Sequence, residues 1–248
     1  GVDASSYGSE AEMFAEVQRM RERIILSPDF DSKKVIGAIL FERTMEEHIN
    51  GKPVAHYLWE DTGVVPFLKI DKGLEDEVDG IQLMKPMPEL EATLAKAKKA
   101  GIFGTKERSF VTSANPAGIA KVVAQHFHVA HLVIAAGLVP IIEPEVDIHA
   151  TDKAEAEDLL RDALWAQVST LPEGQQVMLK LTIPEVAGQY DILADYPAVM
   201  RVVALSGGYS TDEATARLSK NDKMIASFSR ALTQGLQRDM SDADFDTA

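Results

Sequence analysis

Residues 138–180 read LVPIIEPEVDIHATDKAEAEDLLRDALWAQVSTLPEGQQVMLK, two short apolar runs on either side of a helical pattern. The first run, Leu138–Glu143, and the last, Gln176–Lys180, are of strand length, and a helix is expected between them from about Asp152 to Val168. Strands apolar on both faces are strands covered on both faces. The stretch therefore reads as a strand–helix–strand unit of a parallel sheet.

The same alternation runs outward in both directions. Val35–Phe41, Gly63–Lys69, Ile102–Lys106, Met200–Ser206 and Met224–Ser229 are further strand-length runs. Helices are expected over residues 9–26, where Met13, Val17, Met20 and Ile24 recur at helical spacing behind a Ser9/Glu12 capping box. Others are expected over Pro88–Ala100 and from Asn115-Pro116 to about Ala136, each closed by a glycine, Gly101 and Gly137. Two more are expected from near Thr211 and near Arg230. The regular alternation, and the lack of a G-x-G-x-x-G turn, favour a closed barrel over an open sheet. The expectation is an α/β fold, a parallel (β/α)8 TIM barrel in one domain over residues 1–248. Seven strands are found rather than eight, so the barrel reads as lacking its first strand. The terminal SDADFDTA reads as a helix start cut short, as if the C-terminal segment were also lacking.

Composition narrows the function. A chain of 248 residues, 46% hydrophobic and 26% charged, can bury a sizeable core. Zero cysteines exclude disulfides, thiolate metal sites and cysteine nucleophiles. The net charge of −14 argues against nucleic-acid binding and repels anionic ligands at long range, so a phosphate site must gather its own Lys and Arg. No apolar run approaches the roughly 20 residues of a membrane span, and no signal-peptide pattern opens the chain. Together these favour a cytoplasmic protein.

In a parallel barrel the active site lies at the carboxyl ends of the strands. Read off in order, those ends carry Lys69, Lys106, Glu143 with Glu145, Lys180, and Ser206-Gly207-Gly208, with Arg230 after the last. The apolar neighbours of Lys180 and a second cation such as Lys106 favour the neutral amine over the ammonium, and a neutral amine attacks ketones. Glu143, between Ile142 and Pro144, suits proton transfer; Glu145 either shares that work or holds a lysine in place. Gly207 and Gly208 allow backbone N–H groups to turn to an anion ahead of a helix capped by Ser210 and Glu213, and Arg230 adds a charged fork. His126, His128 and His131 share one helix but face different ways, without a carboxylate at zinc-site spacing; they read as surface or satisfied histidines, and no metal is expected. Glu75–Asp79 reads as a solvated loop.

VVPFLKIDKGL (64–74), FGTKERS (103–109), LVPIIEPEVD (138–147), VMLKLTIPE (177–185), RVVALSGGYS (201–210) and IASFSRAL (225–232) resemble, in order, the strand-end blocks of class I fructose-bisphosphate aldolases in their shorter bacterial form. GAILFERTM (37–45) fits as well. The resemblance implies reversible cleavage of fructose 1,6-bisphosphate to dihydroxyacetone phosphate and glyceraldehyde 3-phosphate, in glycolysis and gluconeogenesis, without metal or other cofactor. It makes Lys180 the Schiff-base lysine and Glu143 the acid/base residue, with Glu145 beside it. Lys106, Arg108 and Lys69 bind or polarise substrate, with Asp71 in the same block, and Ser206, Gly207, Gly208 and Arg230 hold phosphate. A homo-oligomer is implied, and neither nucleic acid nor membrane is an expected partner. Nothing in residues 1–34 matches the aspartate-bearing strand with which the family begins, nor is its closing C-terminal segment seen, so weak binding or slow turnover is expected of this chain alone. Another Schiff-base aldolase with a different sugar phosphate, or a non-catalytic binding or adhesion role, remain the alternatives.

Overall fold

The structure is a computed structural model that describes residues 7–229 and 233–247. Its parallel strands follow one another in space as in sequence: β1 (Gly37–Leu40), β2 (Val65–Lys69), β3 (Gly104–Val111), β4 (Val139–Val146), β5 (Val177–Thr182), β6 (Val199–Leu205) and β7 (Met224–Ala226). Every adjacent pair is parallel. Sequential order around a curled parallel sheet is the wall of a (β/α) barrel, and these are the seven strands expected from the sequence. Among the described residues β1 and β7 carry its free edges. A two-residue strand, Ile81–Gln82, adds to the end of β3 in the antiparallel sense.

The longer helices are α1 (Glu10–Leu26), α2 (Leu90–Lys99), α3 (Pro116–Ala135), α4 (Lys153–Val168) and α5 (Thr211–Leu218). Their starts follow capping chemistry: the hydroxyls of Ser9 and Ser210 accept from the N–H of Glu12 and Glu213, and Asn115 accepts from Gly118 ahead of Pro116. The Ser9 box is only half reciprocal, since the Glu12 carboxylate takes the N–H of Gly8. The helix expected from Arg230 is not seen. Residues 230–232 lie outside the described residues, and 233–241 form turns around Gly235, whose φ of 90° is closed to an α-helix. α6 (Asp242–Thr247) follows and docks on α1. There Arg23 donates to the carbonyls of Arg238 (3.2 Å) and Met240 (3.1 Å), pairs with Asp242 (3.0 Å) and lies 4.0 Å from the centre of the Phe245 ring.

The outward faces of β3–β6 meet α3 and α4 in a dry core that includes Ile142, Leu179 and Leu181 opposite Val122, Leu160 and Leu164. Each such side chain contributes about 1.5–3 kcal/mol. α3, with 20 residues, is long and apolar enough to cross a bilayer, and half of it is buried in this core.

β3 departs most from expectation. It begins two residues later than read from sequence and runs five further, because ERSFV hides a strand behind charged residues. Its alternation puts Gly104, Lys106 and Arg108 on the barrel side and Thr105, Glu107 and Ser109 on the helix side. Gly104 has no room for a side chain: a Cβ there would lie 2.2 Å from the Val139 carbonyl and 2.9 Å from the Phe67 ring. Glu107 and His126, from α3, are fully buried, and the Ser109 hydroxyl is 2.7 Å from His126 Nε2. His126 is therefore a buried histidine, while His128 and His131 are exposed. Burial drives the His126 imidazole down to about 3 and the Glu107 carboxyl well up; the charges of Asp71 and Glu143 add to the rise of Glu107 and that of Lys106 opposes it.

Two measurements check this packing. Gly104→Ala should lower stability by about 1–3 kcal/mol in denaturant unfolding, since β4 backbone cannot yield to a methyl group. His126 has a folded-state value of about 3, against 6.5 when unfolded, so its contribution is full above pH 6.5 and lost as pH falls towards 3. Glu107, raised, works in the opposite sense: its contribution is full below about pH 4.5 and lost as pH rises through its folded-state value. The stability difference between the wild type and His126→Asn should therefore shrink on acidification from pH 6.5 to 3, by about 1.4 kcal/mol per pH unit at most.

Candidate active site

β2, β3, β4 and β5 bring their barrel-side residues to one place through their register. Lys69 pairs across with Lys106, and Arg108 with Glu143. Ile142 faces Leu179, so Glu143 and Lys180 are the next pair along. Because side chains alternate, Lys106, Arg108, Glu143, Glu145 and Lys180 all point to the barrel side, and their partners Glu107, Ile142 and Leu179 point away. Lys69 closes β2 as expected, but in β3, β4 and β5 the functional groups sit inside the strands rather than at their last residues. Lys106 is third of eight in β3, and Lys180 precedes the end of β5 by two. The strands run on because the residues beyond, Ser109 and Thr182 among them, still find buried partners.

Glu143 is the centre. One carboxylate oxygen lies 3.0 Å from the Lys180 amine and the other 2.8 Å from the Lys106 amine. All three side chains are nearly enclosed, with the Lys180 side chain 12% exposed. Lys106 also lies 3.5 Å from Asp71, whose other oxygen accepts from Lys69 at 2.6 Å. Burial raises the Asp71 carboxyl, but the Lys69 hydrogen bond, the charges of Lys106 and Lys69, and the Gly73 N–H outweigh it and hold the group below its usual value. At the rim Arg108 pairs with Glu145 at 2.8 Å. Burial is the larger influence on Glu145 and, with the neighbouring Glu143, raises its carboxyl despite Arg108 and Lys180. The two glutamates thus differ in environment: Glu143 is clamped between ammonium groups and Glu145 is inclined to keep a proton.

The local charge answers the demand set by the acidic chain. Lys69, Lys106, Arg108 and Lys180 stand against Asp71, Glu143 and Glu145, an excess of one positive charge. Ser206 follows β6 directly, and Gly207 has φ 61° where a Cβ would strike Ile148 at 2.7 Å. The left-handed turn at Gly207 and Gly208 leads into α5, as an anion cradle requires. Arg230 lies outside the described residues. Among the described residues no group of three His, Asp or Glu side chains has the geometry to hold a metal.

Two features were not anticipated. Thr182 donates its hydroxyl to the Val146 carbonyl (2.8 Å) and accepts from the Val146 N–H (2.9 Å), stitching β5 to β4 just beyond Lys180 and Glu145. Glu107 and Ser109 form a polar patch behind Lys106. The signal for both lay in the alternation of KERS and KLT, where a polar residue next to a catalytic candidate must face the opposite way or a neighbouring strand.

A family model, described as fructose-bisphosphate aldolase class-I, matches residues 11–187. A curated relative from Synechocystis sp., named fructose-bisphosphate aldolase class 1, is 55% identical over 247 residues, covering 100% of this chain and 82% of the relative. One of the same name from Porphyromonas gingivalis is 50% identical over 245 residues, covering 99% and 83%. Among solved structures, fructose-bisphosphate aldolase from Plasmodium falciparum superimposes with a TM-score of 0.76 at 21% identity, over 94% of this chain and 78% of that one, which supports the barrel fold. The strand-end blocks, the lysine–glutamate cluster they build and these matches agree: the chain belongs to the class I fructose-bisphosphate aldolases.

Proposed function

We propose that Lys180 is the amine that forms the Schiff base, with Glu143 as its proton partner. The observation that carries this is the Lys180–Glu143–Lys106 arrangement, one carboxylate between two amines at 3.0 and 2.8 Å. Glu143 takes the ammonium proton of Lys180, and the neutral amine attacks the C2 carbonyl of fructose 1,6-bisphosphate. A new C–N bond forms as the carbonyl oxygen becomes the carbinolamine hydroxyl. Returning the proton to that hydroxyl expels water and leaves an iminium. The C3–C4 bond then breaks with its electron pair flowing into the iminium, a carboxylate accepts the C4 hydroxyl proton, and glyceraldehyde 3-phosphate departs. Protonation of the enamine at C3, and hydrolysis by water, release dihydroxyacetone phosphate and free Lys180.

Lys106 holds Glu143 in place and lends positive charge to the carbonyl as it becomes an alkoxide. Glu145, kept inclined to protonation by burial, is the donor for one of the later steps. Lys69, Arg108 and the Ser206-Gly207-Gly208 turn serve the phosphates, joined by Arg230; Asp71 orients Lys69 and Lys106. The reading treats residues 1–248 as one barrel domain. Family membership supports a place in glycolysis and gluconeogenesis, a cytoplasmic setting and a homo-oligomeric assembly.

The test is intact mass after borohydride treatment with dihydroxyacetone phosphate, followed by peptide mapping. A reduced adduct on Lys180 is expected, and an adduct on another lysine overturns the assignment. Lys180→Met should remove both adduct and turnover. Glu143→Gln, which keeps the shape but cannot take up the proton, should lower kcat by about 10²–10⁴-fold. An unchanged kcat there would reassign the proton work to Glu145.

A further inference from the structure

Behind Lys106, on the face of β3 turned away from the barrel, lies a polar cluster that the mechanism above does not use. Glu107, Ser109 and His126 have no exposed surface, and the Thr105 hydroxyl beside them is also buried without a hydrogen-bond partner among the described residues. The Ser109 hydroxyl and His126 Nε2 are hydrogen-bonded at 2.7 Å. His126 Nδ1 faces Glu107 Oε1 at 3.6 Å, and neither Glu107 oxygen has a hydrogen-bond partner among the described residues. Among the described residues no Lys or Arg pairs with Glu107. The nearest fixed charges, Lys106, Asp71 and Glu143, belong to the barrel side of the sheet.

We propose that Glu107 and His126 are positioning residues for the aldol reaction: an uncharged acid–imidazole–hydroxyl row, Glu107–His126–Ser109, that fixes the roll of β3 about its axis and so sets where Lys106 meets Glu143. The inference rests on the reading of Lys106 and Glu143 as catalytic-site residues. Residues 106 and 107 point to opposite faces of one strand, so a rotation that moves one moves the other. The Ser109–His126 hydrogen bond ties β3 to the 20-residue helix α3, and Glu107, the preceding helix-side residue, packs against the same imidazole at 3.6 Å, so the strand is held from both faces. The row has to be uncharged. Its surroundings are dry, and an ionised Glu107 next in sequence to Lys106 would compete with Glu143 and Asp71 for the same ammonium. Burial acts on both titratable members in that direction, keeping a proton on Glu107 and off His126.

The experiment compares Glu107→Leu and Glu107→Gln with the wild type by steady-state cleavage across pH, with the folded fraction measured for each. Glu107→Leu leaves Nδ1 of His126 facing an apolar group. Its kcat per folded molecule should fall about tenfold or more while KM stays within about twofold, because Lys106 is displaced rather than removed. Glu107→Gln keeps the shape, the neutrality and a donor towards His126. It should restore kcat to within about twofold of the wild type, with an unshifted pH–rate profile. A displaced profile or a tenfold loss in Glu107→Gln would make Glu107 an ionised counter-charge and overturn the proposal. So would a Glu107→Leu enzyme with lowered melting temperature and full kcat, which marks a merely structural group. Should Glu107→Leu fail to fold, infrared spectroscopy decides: a carboxylic-acid C=O band in the wild type that vanishes in Glu107→Gln supports the row, and its absence from the wild type overturns it. Failure of the underlying mechanism shows separately, as a wild type that yields no borohydride adduct on Lys180.

Discussion

A carboxylate enclosed by protein is tolerated only when its charge is met, and Glu143 meets its own with two amines at once. That constraint organises much of the barrel. To bring amines to both oxygens, β3 and β5 must flank β4, and their register must place residues 106 and 180 within reach of residue 143. Asp71 extends the arrangement to β2 by sharing Lys106 and holding Lys69. The row of alternating charge spans four strands. Its inner members, Glu143, Lys106 and Asp71, each meet two partners, so removing one member leaves a buried neighbour with part of its charge unmet.

The same alternation that assembles the site also insulates it. On the barrel side of β3 and β4 stand Lys106, Arg108, Glu143 and Glu145; one residue away, β4 turns Ile142 and Val146 into the dry core, and β3 turns Glu107 and Ser109 onto His126 of α3. Thr182 shows how the transition is made, spending its hydroxyl on both polar groups of Val146 and so holding two strands together at the level where the charged residues end. The cluster is thus backed by the sheet and faces the loops that follow the strands, among them the left-handed turn at Gly207.

Much of this was legible beforehand. Apolar runs at near-regular intervals located all seven of the described barrel strands, and lysines or glutamates near the ends of several marked the face where they converge. What the sequence concealed was depth. ERSFV gives no strand signal because charged residues are rare in strands buried on both sides, and only the fold shows that β3 runs through it to become one of the longest strands here. His126 was hidden for a related reason, since its partners Glu107 and Ser109 belong to a strand whose extent was not visible. The helix expected from near Arg230 starts on residues outside those described; just beyond them Gly235, at φ 90°, turns the chain, and a glycine's effect depends on the conformation it takes.

Arg23 joins α1 to the far end of the described chain, with a hydrogen bond spanning 215 residues to Arg238 and another spanning 217 to Met240. Such a contact comes late in time as well as far along the sequence. At a synthesis rate of about 5–20 residues per second, α1 waits on the order of 10–40 s before its partner segment exists. During that interval its amphipathic face, and the guanidinium of Arg23, have only the growing barrel for company. The closure of the loop is then entropically costly and rewarded last. α1 is thus made long before its partner segment and finished only with it, and its docking reports that the seven barrel strands between them have been delivered.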